Sequence, residues 1–379
     1  MIRLTDVQTR IEALRESGDE LGIEVCWQIH KGNPTPSQGI FRTDPDGGLR
    51  PGLTVAICTY RRPQCLRSLL ESLADQDSRP DELLVVDASP DCASEETLKG
   101  ILSTMRLAHR IVYVRVGDRL RGLTKQRNLA LDIAGCNLIA FFDDDVVLEP
   151  ACLRELEAVL LDKDGVVGVG AFVTNDDKQV GARLRILRSL LAVPDLAPGS
   201  YTRSGISVPL RLLQSGGSPV MVDRLPGCAF VCPTRIAKEL RFAELFHGYA
   251  LGEDLEFSRR AARLGMLLIA RNARVQHNHD PAGRPNSVRL GRMQLFNRYF
   301  VHRTTLSERR WYHVLWFTYA QGLDYVMVCL GMLSRFQVVR CGQFLCGGLL
   351  GILDILAWTG KRLSFEARPH TTPKGEFTR

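Results

Sequence analysis

The chain has 379 residues, more than one small domain needs and enough for a large α/β domain with extensions. Apolar residues make up 45% and charged residues 24%, a balance that lets a sizeable core be buried and argues against long-range disorder. Basic residues exceed acidic ones by seven, which suits anionic partners such as phosphates or an acidic membrane surface; no Lys/Arg block stands beside a stacking platform, so no nucleic-acid partner is expected.

Residues 1–50 read as an N-terminal extension: a charged helix near 5–16, a short apolar run, then turns rich in Gly, Pro and Asp. From Leu53 the pattern becomes strand, helix, strand, helix. Strands are predicted over 54–58, 82–86, 111–116 and 138–142, and helices over 63–74, 94–105, 123–134 and 150–161. Pro63 suits the first turn of its helix. Largely apolar strands alternating with helices predict a mainly parallel sheet covered on both faces. Residues 175–222 are rich in Gly, Pro, Ser and Arg without periodicity and read as a flexible or ligand-covering insert. Order returns at 227–232, and a helix is predicted over 253–264.

Residues 306–379 form a different kind of region. The runs 311–333 and 341–360 hold one formal charge each, Asp324 and Asp354, and both approach the ~20 residues that span a bilayer. Gln321, Asp324 and the glycines at 347, 348 and 351 weaken them as spans. They fit either a buried helical subdomain or a membrane-associating helical hairpin that docks rather than spans, and the second is preferred. Eleven cysteines are scattered without CxxC spacing, several inside apolar runs, which predicts reduced core thiols in a cytoplasmic protein. The first 28 residues lack the apolar core of a signal peptide, so the chain is expected to stay inside the cell.

In a parallel α/β sheet the ligand lies beyond the carboxyl ends of the strands. Those ends here carry Thr59-Tyr60-Arg61-Arg62, Asp87-Ala88-Ser89, a loop reaching Lys125, Arg127 and Asn128, and Asp143-Asp144-Asp145. Together they offer an acid for a base or ribose, cations for phosphate, and carboxylates for a metal. Three adjacent carboxylates repel one another unless a cation neutralises them, and Mg²⁺ or Mn²⁺ would bridge them to phosphate oxygens. An acidic turn capping the next helix is the plainer reading of such a triplet, but a buried strand delivers it to the crevice. Glu253 and Asp254 fit two readings, compensation of a helix dipole or presentation of a general base. His277 fits a metal ligand or a structural hydrogen bond.

The segments TVAICTYRRP, LLVVDASPD, GLTKQRNLAL, FFDDDVVLEP and GYALGEDLEFSRRAARLG, in this order and spacing, resemble the family 2 glycosyltransferases, with VQHNHDPAGR and FNRYF near the end of the match. The resemblance covers roughly residues 53–303. It implies the A-type glycosyltransferase fold over 51–305, a Rossmann-like mixed sheet holding a nucleotide sugar, with a UDP-sugar favoured. By matched position Thr59, Tyr60, Arg61 and Asp87 would line the nucleoside, with Lys125, Arg127 and Asn128 nearby. Asp143 would face ribose and metal, Asp145 would hold Mn²⁺ or Mg²⁺ with His277 as a metal or phosphate ligand, and Asp144 would lie between. Asp254, with Glu253 beside it, would be the base of an inverting transfer. Ala88 replaces a second acid common in the family's second motif. Members with hydrophobic C-terminal tails often build lipid-linked or exported glycans at the inner membrane face, which implies a glycan or lipid-linked acceptor. A nucleotidyltransferase would want a glycine-rich loop that CTYRRP lacks, and a silent scaffold would have no need of both acidic sets.

Overall fold

The computed structural model describes residues 23–30, 41–43, 49–176, 197–246, 248–280, 285–306 and 310–366; the predicted helix over 5–16 lies outside them. Strand β1 (Ile23–His30) comes first, and β2 (Phe41–Thr43) and β3 (Leu49–Pro51) form a small ribbon. Then β4 (Leu53–Thr59), α1 (Pro63–Ala74), β5 (Glu82–Asp87), α2 (Ala93–Leu102), β6 (Arg110–Val116), α3 (Leu123–Ile133), β7 (Leu138–Asp143) and β8 (Val146–Leu148) follow. After α4 (Cys152–Asp162) come β9 (Val166–Val173), β10 (Val220–Val222), β11 (Ala229–Pro233), α5 (Thr234–Leu240), α6 (Glu253–Ala261) and β12 (Met266–His277). Three helices close the described chain: α7 (Ser287–Thr305), α8 (Trp311–Leu333) and α9 (Val338–Glu366).

The main sheet runs β1-β6-β5-β4-β7-β11-β9-β12-β10, with β8 paired to β12. Strands β6, β5, β4 and β7 are parallel, as their apolar sequences predict, and every residue of β4 and β5 is buried. Alternation divides β4 between two cores. Val55 and Ile57 face Leu66, Leu69 and Leu70 of α1, whereas Ala56 and Cys58 face Leu129, Ala130 and Ile133 of α3.

Two parts of the sequence reading change. The short apolar run of the N-terminal extension is β1, which pairs antiparallel with β6, so that stretch completes the main sheet. Trp27 stacks on Tyr113 at 5.3 Å and donates Nε1–H to Glu95 at 2.9 Å, contacts that a sequence without periodic pattern conceals. The insert is also partly ordered. Residues 197–222 carry a tight hairpin, a 3-10 turn at Leu210–Leu212 and β10, while 177–196 lie outside the described residues.

The hydrophobic runs form α8 and α9, and α7 packs along α9. A Cβ at Gly347 would collide with Val288 O, and one at Gly291 with Phe344 O, so glycine is what lets the two backbones touch. Helix α7, which precedes residue 306, packs into the same helical layer as α9. Both lone acids of the runs turn toward α7: Asp324 meets Arg298 at 2.6 Å, and Asp354 meets Arg292 at 2.5 Å.

Candidate active site

The chain leaves β4 outward through β5 and β6, then returns to β7 on the other side of β4. The crevice at this switch point lies beyond Thr59 and Asp143. A cleft of about 980 Å³ opens there, lined by the ends of β4 and β7, the loop before α6, the 207–213 segment and α7.

The acidic triplet has divided duties. Asp144 is buried; Thr59 Oγ1 donates to its Oδ2 at 2.7 Å and Arg62 Nη1 to its Oδ1 at 3.0 Å. Loss of water raises its pKa to about 6, with Arg62 pulling it back. Asp145 accepts from the Asp280 amide at 3.0 Å and lies 3.1 Å from His277 Nε2. Strand register explains that meeting. After the triplet β8 pairs with β12, which sets His277 opposite Val146, the residue next to Asp145. Burial disfavours ionisation of Asp145, yet its hydrogen bond to His277 holds the pKa below the usual carboxylate value.

Asp143, Asp145 and His277 offer ligand atoms within 4.8 Å of one another. Two carboxylates and one imidazole suit a borderline-hard divalent cation such as Mn²⁺. The residues present therefore fit the metal that the resemblance implies.

Asp143 continues into a second cluster. Arg127, 2% exposed, joins Asp143 Oδ1 at 2.9 Å to Glu253 Oε1 at 2.8 Å and donates to Gly227 O at 2.7 Å. Its guanidinium lies 5.2 to 5.9 Å from the rings of Phe242, Phe141 and Phe230, an aromatic floor that keeps water out. Burial raises the Glu253 pKa to about 8 in spite of Arg127. Its Oε2 has no hydrogen-bond partner among the described residues. Removing Arg127 would take the buried guanidinium away from both Asp143 and Glu253. Arg127→Met is expected to lose about 3–5 kcal/mol of stability, read by denaturant unfolding, and adding Glu253→Gln should recover part of the loss.

Asp254 faces the cleft from the same helical turn. It pairs with Arg224 Nη2 at 2.9 Å and keeps 17% of its side chain exposed. Gly227 lets α6 approach this closely, because a Cβ there would lie 2.9 Å from the Asp254 Cβ.

Of the predicted residues, the cleft brings together Thr59, Tyr60, Asp143, Asp144, Asp145, Glu253, Asp254 and His277, with Arg127 immediately behind. The others lie apart. Asp87 is fully buried, accepting from Tyr113 Oη at 2.8 Å and the Ser89 amide at 2.7 Å. Asn128 ties α3 to the Phe242 backbone, and Lys125 Nζ donates to Arg119 O. Arg61 is exposed with φ 56°, its amide on Ser89 Oγ. Arg224 is a site member that sequence reasoning missed, and Arg62, expected at the crevice as a cation for phosphate, is instead the partner of Asp144. Nothing near Arg224 in the sequence marks it as a partner of an acid thirty residues on.

Residues 54–206 match the family described as Glycosyl transferase family 2. A hyaluronan synthase of Pasteurella multocida is 26% identical over 252 residues, covering 62% of this chain; the chain spans about a quarter of that curated relative's length, 25% of it. Among solved structures, mannosyltransferase PcManGT from Pyrobaculum calidifontis, in complex with GDP-Man and Mn²⁺, superposes with a TM-score of 0.52 at 14% identity, over 83% of this chain and 90% of that one. Residues 1–349 of TarS from S. aureus, in complex with UDP-GlcNAc, give 0.51 at 15% identity, over 78% and 79%. Over residues 54–206 the chain carries a family 2 glycosyltransferase domain, and its fold is that of these A-type glycosyltransferase structures.

Proposed function

We propose that the protein transfers a sugar from a nucleotide-diphosphate sugar to a hydroxyl of a glycan or lipid-linked acceptor, with inversion at the anomeric carbon. The observation that carries this reading is the convergence of Asp143, Asp145 and His277 at the switch point of the sheet, in one cleft with Asp254. Asp143, Asp145 and His277 would hold Mn²⁺ or Mg²⁺, which when bound supplies positive charge against the leaving diphosphate. Tyr60, just past the end of β4, lines the cleft and would flank the nucleoside, and Arg61 and Arg121 lie 5.3 and 5.9 Å from its ring. Thr59 and Arg62 hold Asp144 and so fix the backbone of the triplet. Asp254 takes the proton of the acceptor hydroxyl as that oxygen attacks the anomeric carbon and the bond to the diphosphate breaks. A UDP-sugar is the favoured donor. The test is release of nucleoside diphosphate from UDP-glucose, UDP-N-acetylglucosamine and GDP-mannose, with and without Mn²⁺. Metal-dependent release from one donor is expected, and none from any donor would refute the reading.

The same proposal places the protein on the inner face of the cell membrane. In a water-facing helix the charges point outward, but α8 does the reverse. It buries His313, Gln321 and Asp324 and exposes Trp311, Leu315, Trp316 and Tyr319 by 50–75%. Phe336, in the turn to α9, is 92% exposed, and Leu349, Leu353 and Leu356 are 60–66% exposed. Arg335 and Arg340 flank the turn and suit anionic headgroups. Within α9, residues Val338–Thr359 are long and apolar enough to cross a bilayer by length and composition, with mean hydropathy 1.6. Docking of this layer on lipid accounts for the exposed apolar surface and keeps both ion-paired acids turned inward. The full chain is expected to sediment with anionic phosphatidylglycerol vesicles. Leu315→Glu with Leu349→Glu and Leu353→Glu should leave it in the supernatant, and equal sedimentation of both proteins would refute docking.

A further inference from the structure

Resting on the reading of Asp254 as the base, we propose that the 200–208 hairpin is a positioning device. It joins the inward face of α8 to Arg224 and thereby fixes the Asp254 carboxylate. The apolar C-terminal layer and the proton-accepting group are then parts of one mechanical chain.

The links run residue by residue. Arg298 of α7 donates to Asp324 Oδ2 at 2.6 Å and to Gln321 Oε1 at 2.9 Å. With its oxygen occupied, the Gln321 amide has one orientation, and its Nε2 donates to Gly205 O at 3.2 Å. Gly205 is the tip of the hairpin, with φ +77°, and a Cβ there would lie 2.6 Å from the Phe317 ring of α8. Only glycine allows this seat, both for its backbone angle and for its contact. Ile206 beside it packs on Ala320 and Leu323. The hairpin closes on itself through Thr202 N to Ile206 O at 2.9 Å and Val208 N to Ser200 O at 2.8 Å.

At its base the hairpin grips the strand before the cleft. Asp223 N donates to Gly199 O at 2.9 Å, and Tyr201 N donates to Asp223 Oδ2 at 2.8 Å. Ser207 reaches the cleft wall, and its Oγ accepts from Arg224 Nη1 at 3.2 Å. The other arm of the guanidinium, Nη2, donates to Asp254 Oδ2 at 2.9 Å. A planar fork held at one end presents the other in a fixed direction, which a lysine could not reproduce. Arg224 is thus a positioning residue, and Gln321 acts on Asp254 through it. A displacement of α8 would release Gly205, then Ser207, then the arm on Asp254. Seating of the apolar layer is the condition under which the carboxylate is correctly aimed.

The experiment uses the full chain and needs no acceptor, because water can take the acceptor's place at the anomeric carbon. Mn²⁺-dependent hydrolysis of UDP-glucose and binding of UDP with Mn²⁺ are measured for Gln321→Ala, Arg224→Ala and the double variant. Gln321→Ala is expected to lower kcat about tenfold and Arg224→Ala about a hundredfold, with UDP affinity changed less than about twofold. The double variant should match Arg224→Ala alone, since both act through one link. Arg224→Lys should recover only part of the rate. Hydrogen exchange gives a readout independent of turnover: Gln321→Ala should speed exchange at Thr202, Gly205 and Ile206 while the β4 and β7 amides stay protected. Multiplying losses, weakened UDP binding, or exchange that changes only within α8 would overturn the proposal. Asp254→Asn, run alongside, separates the two readings: full activity in that variant removes the base and the positioning role with it, whereas an inactive Asp254→Asn with multiplying losses removes the positioning role alone.

Discussion

Asp254→Asn is expected to lower sugar transfer by about 10²–10⁴-fold while leaving the affinity for UDP and Mn²⁺ nearly unchanged. The substitution keeps the size of the side chain and a hydrogen bond to Arg224 but removes the ability to accept a proton. Glu253 is the competing acid, one residue earlier on the same helical turn. Its surroundings decide against it: it is 5% exposed, bound to Arg127 at 2.8 Å, and raised by burial to about 8. A carboxyl group that holds its proton near neutrality and faces a buried guanidinium is poorly placed to take one from a substrate. Glu253→Gln should therefore act mainly on stability and on the seating of Arg127. Stopped turnover in Glu253→Gln together with an active Asp254→Asn would reverse the assignment. Proton NMR of the first-formed product reports the configuration at the anomeric carbon, and an unchanged configuration would remove the single-displacement mechanism.

Much of this arrangement is legible in the sequence because it rests on local pattern. Apolar strands ending in Thr59, Asp87 and Asp143 announce both the parallel sheet and the edge where a ligand would lie. What the pattern withholds is direction. Asp87 stands at the correct strand end, yet the Tyr113 hydroxyl and the Ser89 amide absorb its charge from within the core. Asn128 and Lys125 share a helix with Arg127, but only Arg127 points under the cleft, because helical neighbours diverge by about 100°. Arg62 reads in sequence as a cation for phosphate, and the structure turns it onto Asp144 and Asp145 instead. Arg224 and the 200–208 hairpin are invisible for a different reason. Their partners lie in α6 and α8, and long-range pairings leave no periodic trace. The C-terminal runs show the same limit. Asp324 counts against its run as a span, and Asp354 stands as the lone charge of the other, until the structure supplies Arg298 and Arg292 as partners.

Acidification is expected to weaken metal binding, and His277 is the group responsible. Burial disfavours its charged form, but hydrogen bonds to Asp145 and to the Cys228 thiol outweigh that and raise its pKa to about 11. Without a metal the imidazole is therefore protonated at neutral pH and is itself the cation beside Asp145. A metal can use Nε2 only after that proton leaves, so binding releases about one proton and the affinity climbs with pH up to the His277 pKa. The sign for stability runs the other way. In metal-free protein a raised histidine pKa contributes stability that is fully present below about pH 6.5 and fades as pH rises toward 11. Calorimetric titration of Mn²⁺ in buffers of different ionisation enthalpy measures the released proton directly. His277→Gln should flatten the pH dependence, and Asp145→Ala should cut affinity by about 100-fold or more, since it removes a ligand and not merely the support of one. Arg62 gives the control. It touches Asp145 at 3.4 Å without belonging to the ligand set, so Arg62→Gln should alter affinity while keeping the proton release. Proton release that survives His277→Gln would place the ligand elsewhere in the cleft.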